Sequence, residues 1–335
     1  METRKVQQTG GSSFIVSLPK EWIEKHEIKP KDSLGIITQP DGNLLITPQI
    51  SSEKFIKIKK IDVDEIKDYN FLFRLLIGAY IIGYSIIELE SSKKFEPFIR
   101  DCVNKFREIA IGPEIVEESN NYILIKDLLN PKEMPFDKTI RRMYILVESM
   151  HEDAIEALKI GDKDLAEKVI ERDNDIDRLY WLIGRQSHII LRDILLCQKM
   201  GITLEMANHF QFFSKALERI GDHAVKIAKN VILIIDKSLN ESLIKEISNA
   251  SAIALNLLSN SLDAWLQRNI ILANSNIELI SELINVCENI IPILDDDDVE
   301  TSIAVSYIIE SIRRTGEYAG DISEIIINTL INERD

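Results

Sequence analysis

The stretch LERIGDHAVKIA, residues 217–228, decides the fold prediction because it has the pattern of an amphipathic helix. At 100° per residue its apolar side chains share one face, whereas Glu218 and Asp222 lie together on the opposite flank. Two carboxylates four residues apart repel each other and slightly destabilise an isolated helix. One such pair is most often a solvated helix face, so this stretch alone predicts a helix and no site.

A second acidic pair with the same spacing occurs in ERDNDID, residues 171–177, where Asp173 and Asp177 border an apolar helical stripe. If the two helices are antiparallel neighbours, four carboxylates converge and need a cation to offset their repulsion. All-oxygen ligation suits hard ions such as Mg²⁺, Mn²⁺, Ca²⁺ or ferric iron, while zinc or ferrous iron would gain from a nitrogen ligand. On spacing alone, two solvated helix faces are the more common arrangement, and a metal site is the alternative.

The chain beyond Pro131 shows helical apolar spacing almost to its end. A break at residues 236–240 divides it into two sets of three helices, so we expect two antiparallel three-helix bundles, 131–235 and 236–335. The helices are predicted at 136–160, 163–195, 202–234, 240–269, 275–293 and 299–332. The aspartate run 295–298 fits a solvated helix start better than a metal-binding loop.

The first fifty residues have the pattern of strands and turns around one short helix, Lys20 to about His26. Asp-Gly between two apolar runs near residue 41 indicates a hairpin. A β unit of this size buries little apolar surface by itself, which favours a homodimer. We therefore expect residues 1–50 to form a small all-β domain that pairs two chains.

Residues 51–130 alternate between strand and helix patterns, which predicts a small α/β domain. Its apolar run 71–89 resembles a membrane span in length, but Arg74 and Glu88 interrupt it and Gly83 divides it. A buried helix followed by a strand is therefore expected, and no membrane insertion. The predicted fold class is a small all-β domain, a small α/β domain and an all-α pair of three-helix bundles.

Charge and motif content narrow the classes of function. The net charge is -15, and residues 131–335 carry most of it, which argues against a protein that coats nucleic acid or an anionic membrane. The three cysteines are far apart without CxxC spacing, and the N-terminus lacks the apolar core of a signal peptide, so a cytoplasmic protein is expected. No nucleotide-binding glycine motif, HExxH or nucleophile beside a base occurs, so an enzyme is not expected.

The strings LERIGDHAVKIAKN and ERDNDID resemble the PhoU family of phosphate-uptake regulators. The resemblance covers about residues 131–335 and implies two three-helix bundles with metal-binding acid-xxx-Asp motifs on two helices of each. It implies that metal ions, whether iron, zinc, manganese or magnesium, bind to the first bundle. The ligands it implies there are Asp173, Asp177, Glu218 and Asp222.

The second bundle departs from the family pattern. SIRRTGEYAGDI, residues 311–322, aligns with the first motif when Glu317 is set against Asp222. Arg313 then stands at the position of Glu218, where the first acid of the motif belongs. The resemblance therefore implies Glu317 as a candidate ligand in a copy that has lost most of its metal chemistry.

The N-terminal string RKVQQTGGSSFIVSLPKEWIEKHEIKPKDSLGIITQPDGNLLITP is similar to the SpoVT/AbrB-type swapped-hairpin domain. Such domains interleave two chains into a dimer, and many bind DNA with basic residues, which implies Arg4, Lys5 and Lys20 as DNA-binding candidates. Residues 1–50 hold six basic and six acidic groups, so surface lysines on a dimerisation module are the alternative. The combination with PhoU-type bundles looks like an archaeal arrangement.

The sequence therefore predicts a cytoplasmic homodimeric regulator of the phosphate response whose N-terminal domain contacts DNA or a partner. Its bundles are expected to bind metal, and inorganic phosphate through that metal. One alternative is an adaptor that never binds DNA and acts on a phosphate transporter's ATPase or a signalling kinase. A metal-dependent phosphatase is a further alternative, although no base or nucleophile is visible for it.

Overall fold

Short β-hairpins begin the chain and long helices end it, which confirms the predicted fold class. The computed structural model divides the chain into two units, Met1–Phe55 and Ile56–Asp335. It describes residues 2–38, 42–48, 56–237, 239–290 and 299–331. Parts of the predicted hairpin turn near residue 41 and the whole aspartate run 295–298 lie outside these residues.

The first unit contains two antiparallel hairpins and one short helix. Strand β1 pairs with β2, and β3 pairs with β4. The elements are β1 (Gln7–Thr9), β2 (Ser13–Ile15), α1 (Lys20–Lys25), β3 (Gly35–Thr38) and β4 (Leu44–Thr47). Among its described apolar residues only Ile37 is buried. Large apolar side chains that are more than two-fifths exposed are Val6, Phe14, Ile15, Val16, Ile36 and Leu44.

The second unit begins with the predicted α/β layer, a four-stranded sheet in the order β5-β6-β8-β7. Strands β5 and β6 are parallel and the other pairs are antiparallel. The elements are β5 (Ile58–Asp62), α2 (Tyr69–Ile81), β6 (Ile86–Glu90), α3 (Pro97–Ile109), β7 (Pro113–Glu118) and β8 (Tyr122–Asp127). Residues 71–89 form a helix and then a strand, as predicted, and Asp68 caps the helix by accepting a hydrogen bond from the Phe71 backbone N–H at 2.6 Å.

The rest of the second unit is helical. Its helices are α4 (Phe136–Ile160), α5 (Lys163–Ile190), α6 (Ile194–Met200), α7 (Leu204–Ile234), α8 (Glu241–Leu266), α9 (Ile270–Glu278), α10 (Ile280–Ile290) and α11 (Val299–Ile331). Two predicted helices are wrong in extent. The helix expected at 163–195 ends at Ile190, because Asp193 caps the separate α6. The helix expected at 275–293 is divided into α9 and α10, and α9 begins earlier than expected, at Ile270, because Asn269 caps it.

The run Ile270–Ile290 is, in the described part of the chain, the one helical stretch that could cross a membrane by length and composition alone. It is divided between α9 and α10, and its Ala273, Leu283 and Cys287 belong to the core shared with α8 and α11. A helix of a water-soluble bundle passes the same test, so this run is weak evidence for a membrane span.

The two bundles share one hydrophobic core. Helices α7 and α11 pack antiparallel along their length, since His209 Nδ1 lies 2.9 Å from Thr329 Oγ1 and Lys237 Nζ lies 3.8 Å from Glu300 Oε2. Bundle α4-α5-α7 therefore continues directly into bundle α8-α9-α10-α11. The break at 236–240 separates two helices and does not separate two cores.

A fully buried histidine lies at the contact between the bundles. His151 on α4 lies 3.0 Å from the Ser251 hydroxyl of α8, through Nε2, and 3.4 Å from the Thr315 hydroxyl of α11, through Nδ1. Burial, with a smaller contribution from His223, lowers the pKa of His151 to about 4. The ring is therefore neutral in the folded chain at neutral pH.

We expect the free energy of unfolding to fall as the pH drops from about 6.5 to 4. In this range His151 is protonated in the unfolded chain but still neutral in the folded chain, so acid favours unfolding. The loss assigned to this group is about 3 kcal/mol. Urea titrations at several pH values should show a shallower loss in His151→Gln. The exposed control His26→Gln should keep the full slope, and an unchanged slope in His151→Gln would contradict the assignment.

Candidate metal site

Helices α5 and α7 are antiparallel neighbours, as the prediction of a metal site requires. The Lys215 ammonium of α7 lies 4.9 Å from the centre of the Tyr180 ring of α5. Further along the same two helices, an added Cβ at Gly221 would lie 3.5 Å from the Ile176 side chain, which is ordinary contact. This antiparallel register places Asp173 and Asp177 of α5 opposite Asp222 and Glu218 of α7, in that order.

The environment of the two α5 carboxylates raises their pKa values. Burial raises the pKa of Asp177 to about 7, and the neighbouring charges of Asp173, Glu218 and Asp222 add to this effect. The pKa of Asp173 is raised for the same reasons, with Lys229 acting in the opposite direction. The two α5 carboxylates therefore lie in an environment that disfavours their negative charge. A bound cation would remove that penalty.

Two cations of α7 lie beside the α7 carboxylates. Lys215 Nζ donates a 2.7 Å hydrogen bond to Glu218, and Arg219 lies 3.8 Å from Glu218 and 3.7 Å from Asp222. The Glu218 side chain is only 14% exposed, so its flank of the helix is less solvated than the helical pattern predicts. Sequence reasoning missed Lys215, although its position three residues before Glu218 is a visible signal.

The side chains as placed do not converge on one point. Among the residues that the structure describes, no three His, Cys, Asp or Glu side chains are grouped so that they could hold a metal ion together. The donor chemistry nevertheless fits a hard cation, since all four candidate groups are carboxylates. The structure thus brings the two acidic pairs into facing register, and it gives Glu218 a lysine partner.

Glu317 in the second bundle has cations as its neighbours. Arg313 Nη1 lies 3.2 Å and Arg314 Nη1 2.9 Å from its carboxylate oxygens. One turn further along α11, burial and the charges of Glu324 and Glu317 raise the pKa of Asp321. The position that aligns with the missing acid thus supplies an ion pair to Glu317.

The three DNA-binding candidates are exposed in the first unit. Arg4 forms an ion pair with Glu2, and Lys20 at the start of α1 lies 3.5 Å from Glu24. Lys5 has no ion-pair partner among the described residues. Surface ion pairs of this kind contribute little, so all three cations remain accessible to a phosphate backbone.

Comparison with known proteins gives two domain matches. Residues 140–231, which hold both acidic pairs, match the PhoU domain. Residues 7–54 match the antidote-toxin recognition domain MazE of bacterial antitoxins.

Relatives of the helical region are phosphate-specific transport system accessory proteins, the PhoU homologues. The Thermotoga maritima homologue 1 is 25% identical over 196 residues, which is 56% of this chain and 82% of the relative. The Caulobacter vibrioides homologue is 26% identical over 200 residues, 58% of this chain and 86% of the relative. Both organisms are bacteria, so these relatives give no support to an archaeal source.

The solved structure of PhoU from Pseudomonas aeruginosa has the same helical architecture. It superposes with a TM-score of 0.54 over 60% of this chain and 98% of that chain, at 22% identity. At this identity the likeness shows the fold alone. The chain thus contains one segment similar to the PhoU domain and, before it in the sequence, one segment similar to the MazE domain.

Proposed function

We propose that this chain is a homodimeric regulator of the phosphate response that binds DNA through its N-terminal domain and metal ions through its first bundle. The observation that carries the proposal is the joining of a PhoU-type helical region to a MazE/AbrB-like domain whose apolar side chains are exposed in the single chain. No catalytic activity is part of the proposal, and the protein acts in the cytoplasm.

The exposed apolar side chains of the first unit support the homodimer. Phe14 is 70% exposed and Ile36 is 67% exposed, and both lie on strands of the two hairpins. Each buried side chain of this kind contributes about 1.5–3 kcal/mol to folding. A second copy of residues 1–50, interleaved with the first, supplies the surface that buries them.

The basic residues of the same unit support local DNA contact. A dimer doubles Arg4, Lys5 and Lys20, and a few phosphate contacts per chain give salt-sensitive binding. The net charge of -15 prevents the rest of the molecule from adding to the attraction. Binding to DNA is thus confined to the N-terminal domain.

The facing carboxylates support the metal function. A hard cation between Asp173, Asp177, Glu218 and Asp222 would relieve the repulsion that raises the pKa of Asp177. Iron, manganese, magnesium and zinc are the candidate ions. Metal on a carboxylate surface keeps coordination positions for other oxygen ligands, so inorganic phosphate is the proposed effector.

An adaptor that does not bind DNA is the second candidate function. The relatives' name as accessory proteins of phosphate-specific transport favours it, as do the ion pairs of Arg4 and Lys20 with their own chain. In that function the bundles would contact a phosphate-transport ATPase or a signalling kinase.

Selection of duplex DNA by the purified full-length protein, with and without phosphate, separates the two functions. We expect Arg4→Ala/Lys5→Ala to lower the affinity for DNA by more than about tenfold. The slope of log K against log salt concentration should become shallower by about 3 to 4, since a dimer loses four phosphate contacts. The matched control Lys25→Ala/Lys29→Ala removes two exposed lysines of the same unit and should bind as the native protein does. Weak, sequence-independent binding that both variants share would favour the adaptor.

A further inference from the structure

Helix α4 carries cations and carboxylates at opposite ends of one outward-facing line. We define the outer stripe of α4 as six positions separated alternately by four and three residues. They are Lys138, Arg142, Ile145, Ser149, Glu152 and Glu156, all exposed except the half-buried Ser149. A spacing of 3.5 residues keeps side chains on one line of a helix, as in the contact line of a coiled coil.

The order of charges along this stripe is the opposite of the order that would stabilise the helix. Lys138 lies in the first turn of α4, where the helix dipole favours negative charge, and the carboxylates lie toward the opposite end. In the part of the chain that the structure describes, Lys138, Arg141 and Arg142 have no ion-pair or hydrogen-bond partner. Three exposed cations therefore lie unpaired on an acidic protein.

The acidic end of the stripe borders a groove between α4 and α8 of about 400 Å³. Its lining includes Glu152, Asp153, Glu156 and Lys159 of α4 and Ser248 and Ser251 of α8. Burial and the charges of Glu148 and Asp153 raise the pKa of Glu152, which lacks a cation partner among the described residues. Asp153 pairs with Arg172 and Glu156 pairs with Lys159, so Glu152 is the groove carboxylate that has no cation partner among the described residues. The groove thus has the space, and in Glu152 the unpaired carboxylate, to take a lysine or arginine side chain.

We propose that two copies of this chain pair through the outer stripe of α4 in antiparallel orientation, with the cations of each copy entering the acidic groove of the other. A two-fold axis between positions 145 and 149 brings Lys138 opposite Glu156 of the second copy and Arg142 opposite its Glu152. Each ion pair then occurs twice, as a two-fold symmetric interface requires.

The stripe fits a second copy better than a foreign basic partner. An unrelated basic protein would satisfy the groove but would leave Lys138 and Arg142 unpaired. An antiparallel copy satisfies both ends at once and places Ile145, which is 55% exposed, at the centre of the contact. This contact is separate from the pairing proposed for residues 1–50.

Zero-length carbodiimide cross-linking of the full-length protein tests the pairing. Lys138 and Glu156 are 18 residues apart on one helix, about 27 Å, so a cross-link between them must join two chains. We expect this cross-link at low salt and a clear loss at high salt. Arg142→Glu should reduce the yield of the Lys138–Glu156 cross-link about tenfold, because the two-fold interface contains the reversed charge twice. Arg142→Glu/Glu152→Arg should restore the yield.

Two controls make the result decisive. The in-chain pair Lys159–Glu156, at 3.3 Å, should cross-link in every variant and shows that the reagent works. Lys168→Glu makes the same kind of charge reversal at an exposed position of α5 and should leave the Lys138–Glu156 product unchanged. The proposal is overturned if the control pair reacts while no Lys138 product with Glu152 or Glu156 forms, or if Arg142→Glu leaves that product unchanged.

Discussion

Replacing Arg185 with methionine is expected to lower the free energy of unfolding by about 3–5 kcal/mol, because it leaves a buried carboxylate without its partner. Arg185 on α5 is 3% exposed and bonds to Asp127 of β8, which is 10% exposed, at 2.7 and 3.1 Å. Its third bond, at 2.5 Å, goes to the Tyr80 carbonyl of α2. One side chain thus joins the α/β layer to the first bundle.

Urea titration measures this loss, and hydrogen exchange in α2 should show that the α/β layer opens first. Arg185→Met/Asp127→Asn should recover part of the loss, because the uncompensated charge is gone. The matched control Arg107→Met breaks the exposed pair with Glu114, 3.6 Å apart, and should cost less than about 1 kcal/mol. Equal losses in Arg185→Met and Arg107→Met would show that the buried pair does not hold the layer to the bundle.

The second large effect is expected at the facing carboxylates. At pH 8 without added metal, Asp177→Asn should be more stable than the native protein, because the amide carries no negative charge. Burial and three neighbouring acids raise the pKa of the Asp177 carboxyl to about 7, so its charged form is disfavoured in the folded chain. The native protein should gain about 2.7 kcal/mol when Mg²⁺, Mn²⁺, Zn²⁺ or ferric iron is present at a hundred times its dissociation constant. Asp177→Asn should lose this gain.

Thermal unfolding with and without each ion provides the measurement. Asp175→Asn makes the same chemical change two residues away, at a carboxylate 3.7 Å from Arg178, and should keep the response to metal. If no ion raises the unfolding temperature of the native protein, or if Asp173→Ala/Glu218→Ala responds as the native protein does, the metal proposal fails.

Local pattern is enough to predict the helices and the acidic pairs of the candidate site. Apolar spacing over α4 and α7 fixes which face is buried, and i, i+4 spacing alone puts Glu218 beside Asp222. The break after Ile190 is not predicted, because apolar periodicity continues across it and only the cap Asp193 marks it. The division of α9 from α10 at Leu279 is not predicted either, and α9 begins earlier than predicted because Asn269 caps it.

The sequence by itself determined the order of strand-rich and helical regions, the helical faces and the spacing of the acidic pairs, because these depend on interactions within a few turns of chain. Tertiary structure alone decided which groups meet across larger separations. It put Asp173 opposite Asp222, joined Arg185 to Asp127 across 58 residues, and merged the two bundles into one core. Such pairings follow from how whole helices pack, and no local periodicity encodes that packing.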